Sequence, residues 1–213
     1  MRGPFITLEG IDGSGKSTQA DLLSAYLGRC GWAVVRTREP GGTALGEQIR
    51  RLVLETATGN LNERAELLLY LADRAQHVAE VIWPALQSGK AVVCDRFGDS
   101  SLAYQGYARG LGLELIQRLN RFAAGGLEPD LTLYLDVPVE IGLRRRHRDR
   151  RKNGLDRIEK ETLEFHQRVR AGFLELARRE PERFRLIDAC GTVEEVFAAV
   201  RAIVDSFLRR WQR

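Results

Sequence analysis

Phe5-Ile6-Thr7-Leu8-Glu9-Gly10-Ile11-Asp12-Gly13-Ser14-Gly15-Lys16-Ser17-Thr18 is the stretch on which the fold turns. A short apolar run reads as a buried strand, a glycine-rich turn follows, and a helical segment opens beyond it. Positions 10–17 satisfy G-x-x-x-x-G-K-[ST] in full. Glycines allow a tight loop whose N–H groups turn inward on phosphate oxygens. The next helix adds its partial positive charge. Lys16 can follow the β- and γ-phosphates, and the Ser17 hydroxyl can ligate Mg²⁺. The candidate ATP-binding residues are therefore Gly10, Ile11, Asp12, Gly13, Ser14, Gly15, Lys16, Ser17 and Thr18.

Outward from this loop, short apolar runs alternate with amphipathic stretches, the mark of an α/β protein with a parallel sheet. Strands are expected at 5–9, 33–37, 91–95, 131–136 and 184–188. Helices are expected near 16–29, 44–55, 62–88, 112–124, 138–149, 160–180 and 192–210. Gly89 should end the long third helix and Pro84 should kink or shorten it. Thr192 with Glu195 reads as a capping box before the last helix. No linker interrupts the 213 residues, so a single domain over 1–213 is expected, with a lid at about 144–157.

Ala91-Val92-Val93-Cys94-Asp95-Arg96-Phe97 is a buried strand ending in an acid–base pair. Ligands of open α/β sheets gather beyond strand C-termini, so Asp95 and Arg96 should face the phosphate loop. Asp95 can hold the water shell of Mg²⁺ alongside Ser17, and Arg96 can fork onto a phosphate. Arg38-Glu39-Pro40-Gly41-Gly42-Thr43 follows the second strand. Tyr70 and Arg74, four apart, share a helix face that could stack a base and donate to its edge. Ser101, Tyr104 and Gln105 add hydroxyl, phenol and amide groups. Singly, either tyrosine suits packing; together these groups describe a nucleotide-sized pocket.

These stretches, with Ala72-Asp73-Arg74-Ala75-Gln76, Leu133-Tyr134-Leu135-Asp136-Val137 and Leu155-Asp156-Arg157-Ile158-Glu159, occur in an order that resembles the thymidylate kinases. The resemblance runs from about residue 5 to 190. It implies the P-loop nucleoside-monophosphate-kinase fold, a five-stranded parallel sheet flanked by helices, and a homodimer packed through helices. It implies transfer of phosphate from ATP to dTMP, giving dTDP, with Mg²⁺ as cofactor. Lys16, Asp95 and Arg96 take catalytic roles. In the dTMP pocket, Asp12 lies near the 3′-hydroxyl, Tyr70 stacks on thymine and Arg74 donates to O4. Arg96 and Arg50 hold the acceptor phosphate, Tyr104 crowds the 2′ position, and Ser101 and Gln105 lie along the base. Glu39 and Pro40 complete the wall. Two residues depart from the family pattern, Phe97 where Tyr or His usually follows Asp-Arg, and Tyr70 where Phe usually stacks.

Thymidylate kinases need a catalytic arginine, carried in the phosphate loop or in a lid. Ile11 to Ser14 contain no basic residue, so this chain resembles the bacterial, lid-arginine type, with Arg148, Arg150 and Arg151 the favoured cations and Arg157 a clamp at the lid's base. The charge distribution agrees: residues 144–157 hold eight Arg and Lys against two Asp, whereas the whole chain carries only +4, leaving the remainder slightly acidic. One concentrated basic segment suits a polyphosphate better than a nucleic-acid track. No apolar run reaches the roughly 18 residues of a membrane span, and the strand-like start leaves no room for a signal peptide. Cys30, Cys94 and Cys190 read as free thiols in a reducing cytoplasm.

Overall fold

Phe5–Glu9 (β1) and Ala91–Asp95 (β3) are buried at every position, as their unbroken apolar character demands of strands covered on both faces. The computed structural model describes residues 2–55, 61–149 and 156–211. Among them, β1 and β3 join Val34–Arg38 (β2), Leu131–Asp136 (β4) and Phe184–Asp188 (β5) in one five-stranded sheet of order β2-β3-β1-β4-β5. Every pairing is parallel. The edge strands expose residues the central ones do not: β2 buries only Thr37, and β5 buries only Phe184 and Ile187. The register sets Leu8 beside Asp95 and Glu9 beside Tyr134, so β1 and β3 release their following loops side by side.

Helices α1 (Lys16–Arg29), α2 (Ala44–Leu54), α3 (Glu63–His77), α4 (Trp83–Gln87), α5 (Gly98–Ser101), α6 (Leu113–Ala123), α7 (Val139–Asp149), α8 (Leu163–Arg179) and α9 (Val193–Trp211) flank the sheet. Their starts are chemically marked. Thr43 accepts from Gly46 N at 2.9 Å, Thr162 accepts from Phe165 N at 3.2 Å, and Thr192 and Glu195 exchange the two bonds of a capping box. Each such cap contributes about 1 kcal/mol.

Pro84 does not break the long helical run. A π-helical turn, Val78–Ile82, joins α3 to α4, with Trp83 N–H reaching back five residues to Val78 O. Proline has no N–H to return to the preceding turn, and the helix passes it by widening. Gly89 ends the run in the left-handed region, φ 76°. A second π-helical turn, Leu102–Ala108, continues α5 where the sequence predicts no helix. Gly-Asp-Ser-Ser has poor helix propensity; packing on α8 overrides it, with Gly172 set so close that a Cβ there would meet the Tyr107 ring at 2.8 Å. Behind this, Phe173 of α8 stacks on Tyr134 of β4, centroids 5.1 Å apart. The three cysteines are free, and no described helix is long and apolar enough to cross a membrane.

Candidate active site

The phosphate loop leaves β1 through Gly10 and enters α1 through Gly15, whose φ of 94° serves as the helix's N-terminal boundary. Gly13, φ 77°, abuts Gly142 of α7: a Cβ on Gly13 would lie 2.0 Å from Gly142 O. Lys16 Nζ donates to Ile11 O at 2.8 Å, so the ammonium is curled over the loop it serves. Burial, with Arg96 close by, pulls Lys16 down to about 8 against Asp12, Asp95 and Glu9. Ser17 Oγ donates to Asp95 Oδ2 at 2.5 Å. A hydroxyl and a carboxylate in contact at a phosphate loop fit one face of a hydrated Mg²⁺ whose remaining ligands are water and phosphate.

Arg96 sits where β3 ends. Its Nη2 donates to Asp12 Oδ1 at 2.7 Å and its Nη1 to Gly10 O at 2.9 Å, while its guanidinium lies 5.1 Å from the Tyr104 ring centroid. Burial opposes the ionisation of Asp12, but Arg96, Lys16 and Arg146 outweigh it and hold the carboxyl well below the usual range.

Two cavities meet at these residues. The larger, about 580 Å³, is walled by Asp12, Gly13, Ser14, Gly15, Lys16, Ser17 and Thr18, with Asp95 and Arg96 opposite. Gly10 and Ile11, expected in the same role, lie beneath: Gly10 O is taken by Arg96, Ile11 O by Lys16. The second cavity brings together Asp12, Glu39, Pro40, Arg50, Tyr70, Arg74, Arg96, Ser101, Tyr104 and Gln105, the full set expected around dTMP. Asp12, Glu39, Arg50, Arg96 and Arg146 belong to both walls and form the passage between them.

Within the second cavity Arg74 is almost fully buried and heavily tied. Its Nε donates to Glu39 Oε2 at 2.9 Å, and its Nη1 to Asn120 Oδ1 at 2.6 Å and Ser101 Oγ at 3.2 Å. Nη2 lies 2.8 Å from the same Glu39 oxygen. Of its five N–H groups, four have partners among the described residues, and the fifth, on Nη2, can serve a ligand. His77 Nδ1 holds the other Glu39 oxygen at 3.0 Å, and Asp73 fixes the following turn by accepting from Gly41 N at 2.9 Å. The Tyr104 hydroxyl is buried without a hydrogen-bond partner among the described residues, and burial pushes the Tyr70 phenol up. Gln105 Nε2 is held by Glu66 at 2.7 Å.

Glu66 also receives Arg157, whose Nε donates to Val53 O at 3.0 Å and whose N–H goes to Leu54 O at 2.9 Å. The segment after the basic stretch is thus fastened to α2 and α3, and its Asp156 and Ile158 wall the second cavity. Arg150, Arg151, Asn153 and Gly154 lie outside the described residues, as does the side chain of Arg148. Two arginines that sequence reasoning passed over stand at the site. Arg145 binds Ala189 O and Cys190 O at 2.8 and 3.0 Å, and Arg146 is paired with Glu159 in the passage. Their run of basic neighbours was the only signal; nothing in it says which members turn inward.

A sequence profile described as Thymidylate kinase matches residues 8–200. The chain belongs to the thymidylate kinase family. It is 55% identical over 210 residues to the thymidylate kinase of Desulfovibrio desulfuricans, covering 97% of each chain. It is 54% identical to that of Gloeobacter violaceus, covering 98% of this chain and 97% of the relative. Its backbone matches the crystal structure of thymidylate kinase from Ehrlichia chaffeensis with a TM-score of 0.77 at 36% identity, covering 96% of this chain and 99% of that one. For a thymidylate kinase the Phe97 departure has a local reason. The ring is buried edge-on to Phe5, centroids 5.0 Å apart, beneath the Arg74 guanidinium, and a hydroxyl there would need a partner.

Proposed function

We propose that this enzyme transfers the γ-phosphoryl group of ATP to dTMP, giving dTDP and ADP for the supply of DNA precursors. The observation that carries the reading is the pair of cavities joined through Asp12, Arg50, Arg96 and Arg146. A donor phosphate in the loop and an acceptor phosphate on Arg96 would face each other across that passage, and phosphoryl transfer asks mainly for such positioning and positive charge. Lys16 follows the donor phosphates, Arg96 and Arg50 hold the acceptor, and Asp12 reaches the sugar. Tyr70, Arg74, Ser101 and Gln105 take the base, Tyr104 stands against a 2′-hydroxyl, and Glu39 and Pro40 close the wall. Ser17 and Asp95 would hold Mg²⁺, which neutralises charge on the donor phosphates when bound.

The remaining charge comes from the lid. The loop offers no cation beyond Lys16, so the reading is of the lid-arginine type, with 144–157 as lid on a single domain over 1–213. Support for a homodimer comes from apolar residues left exposed on adjoining helices: Leu68 of α3 at 60%, Leu115 and Phe122 of α6 at 55% and 86%. The free cysteines suit a cytoplasmic enzyme that needs neither membrane nor nucleic acid.

A coupled assay with ATP, Mg²⁺ and dTMP, dUMP, dCMP or thymidine in turn tests the whole. Turnover should be fastest with dTMP. Equal rates on thymidine would overturn the assignment of the acceptor.

A further inference from the structure

Arg96 is the one non-glycine residue with positive φ among the described residues, at 73°. A side chain in that region is strained, so neighbouring contacts must hold the turn. On one side the backbone ladder does so, since Arg96 N–H donates to Leu8 O at 3.0 Å. On the other side Glu9, the last residue of β1, does it with its side chain. Oε1 accepts Phe97 N–H at 2.7 Å, and Oε2 is hydrogen-bonded to Ser100 Oγ at 2.6 Å. Ser100 Oγ in turn accepts from Arg96 Nη1 at 3.2 Å. Glu9 is fully buried and lines neither nucleotide cavity.

We propose that Glu9 is a positioning residue that, through these two hydrogen bonds, fixes the left-handed turn aiming Arg96 at the acceptor phosphate. The proposal rests on the reading of Arg96 given above. Phe97 N–H is the first backbone donor beyond the ladder bond of Arg96, and α5 offers it no carbonyl. A carboxyl oxygen from the neighbouring strand satisfies it and pins the residue next to the strained one. Burial first, then the nearby Asp99, pushes Glu9 up to about 8, against Arg96. Ser100 Oγ donates to Oε2; a glutamine keeps Oε1 as acceptor for Phe97 N–H, and its amide can donate to the rotatable Ser100 hydroxyl in exchange. The grip is therefore one of hydrogen-bond geometry rather than of charge.

Calorimetric binding of dTMP and of thymidine to the same proteins, without ATP, tests this. The ratio of the two affinities measures how well the phosphate is held. Arg96→Ala should collapse the ratio; a ratio that survived would sink the assignment of Arg96 itself. With that established, Glu9→Leu should lower the ratio about tenfold or more, the weight of one charge-assisted contact, with thymidine affinity moving less than about threefold. Glu9→Gln should restore it to within about threefold of the parent. Retention of the ratio in Glu9→Leu, equal weakening of both ligands, or a Gln variant as poor as Leu would each overturn the proposal. If Glu9→Leu does not fold, Glu9→Asp, a methylene too short to reach both partners, takes its place under the same criteria.

Discussion

Lys16 illustrates how a side chain can be costly to the fold and necessary to the reaction. Its ammonium is buried and drawn down to about 8, so the charged form is better solvated in the unfolded chain. A cation with a lowered folded value weakens the fold below that value and ceases to do so as pH rises toward its ordinary range. Lys16→Ala should therefore melt no lower than the parent at pH 7, by differential scanning calorimetry, while kcat falls about 10²-fold or more. Near-normal turnover would remove the loop's assignment. Glu9 has the opposite sign for the same reason, a carboxyl raised by burial from 4.5 to about 8. Its contribution is complete below pH 4.5 and is lost as pH climbs through about 8. The melting-temperature advantage of Glu9→Gln over the parent should then widen between pH 5.5 and 8.5, and a constant gap would count against the raised value. Arg74, with one N–H to spare, suits the O4 acceptor of thymine and not the amino group of cytosine. We expect dTMP over dCMP by about 10³ in kcat/KM, eroded by Arg74→Ala; comparable use of dCMP would refute it.

At the level of elements, the strands were legible because burial on both faces leaves an unbroken apolar run, and β1, β3 and β4 need no periodicity to be seen. Residues 98–108 were not. Their helical and π-helical turns are imposed by α8 from outside the segment. The substrate-facing residues were legible in motifs, but the work of holding them was hidden. Glu9, Glu66, His77 and Asn120 act across long sequence separations that no local pattern announces. The basic run at 144–157 was legible as charge only. Replacing Arg148, Arg150 and Arg151 together by Ala should cut kcat by about 10²–10⁴ with KM for dTMP moving a few-fold, as for a cation engaged only in the reacting state. If steady-state kinetics show kcat intact in that triple variant, the cation must come from elsewhere, with Arg146 in the passage the first to replace.

For the molecule as a whole, α2 packs on α3 and α3 on α6, so Leu68, Leu115 and Phe122 lie on neighbouring helices. An isolated exposed leucine needs no explanation, but large apolar residues this exposed on two packed helices are candidates for an interaction surface. Light scattering after gel filtration should give a dimer for the parent and a monomer for Leu115→Lys with Phe122→Glu; an unchanged mass would exclude this face. Sheet order follows from where the chain must cross, with β3 returning beside β1 to place Asp95 next to the phosphate loop. The meeting of Gly13 with Gly142 has a mechanical consequence. With no side chain as cushion, loop and helix touch backbone to backbone, and Gly142 becomes a fulcrum near the start of α7. From there the helix runs seven residues to Asp149, a lever arm of roughly 10 Å at about 1.5 Å per residue. A tilt of about 10° at the fulcrum would swing the far end by roughly 2 Å, so an adjustment of the loop around phosphate would be carried along the helix past Arg144, Arg145 and Arg146 to its end at Asp149.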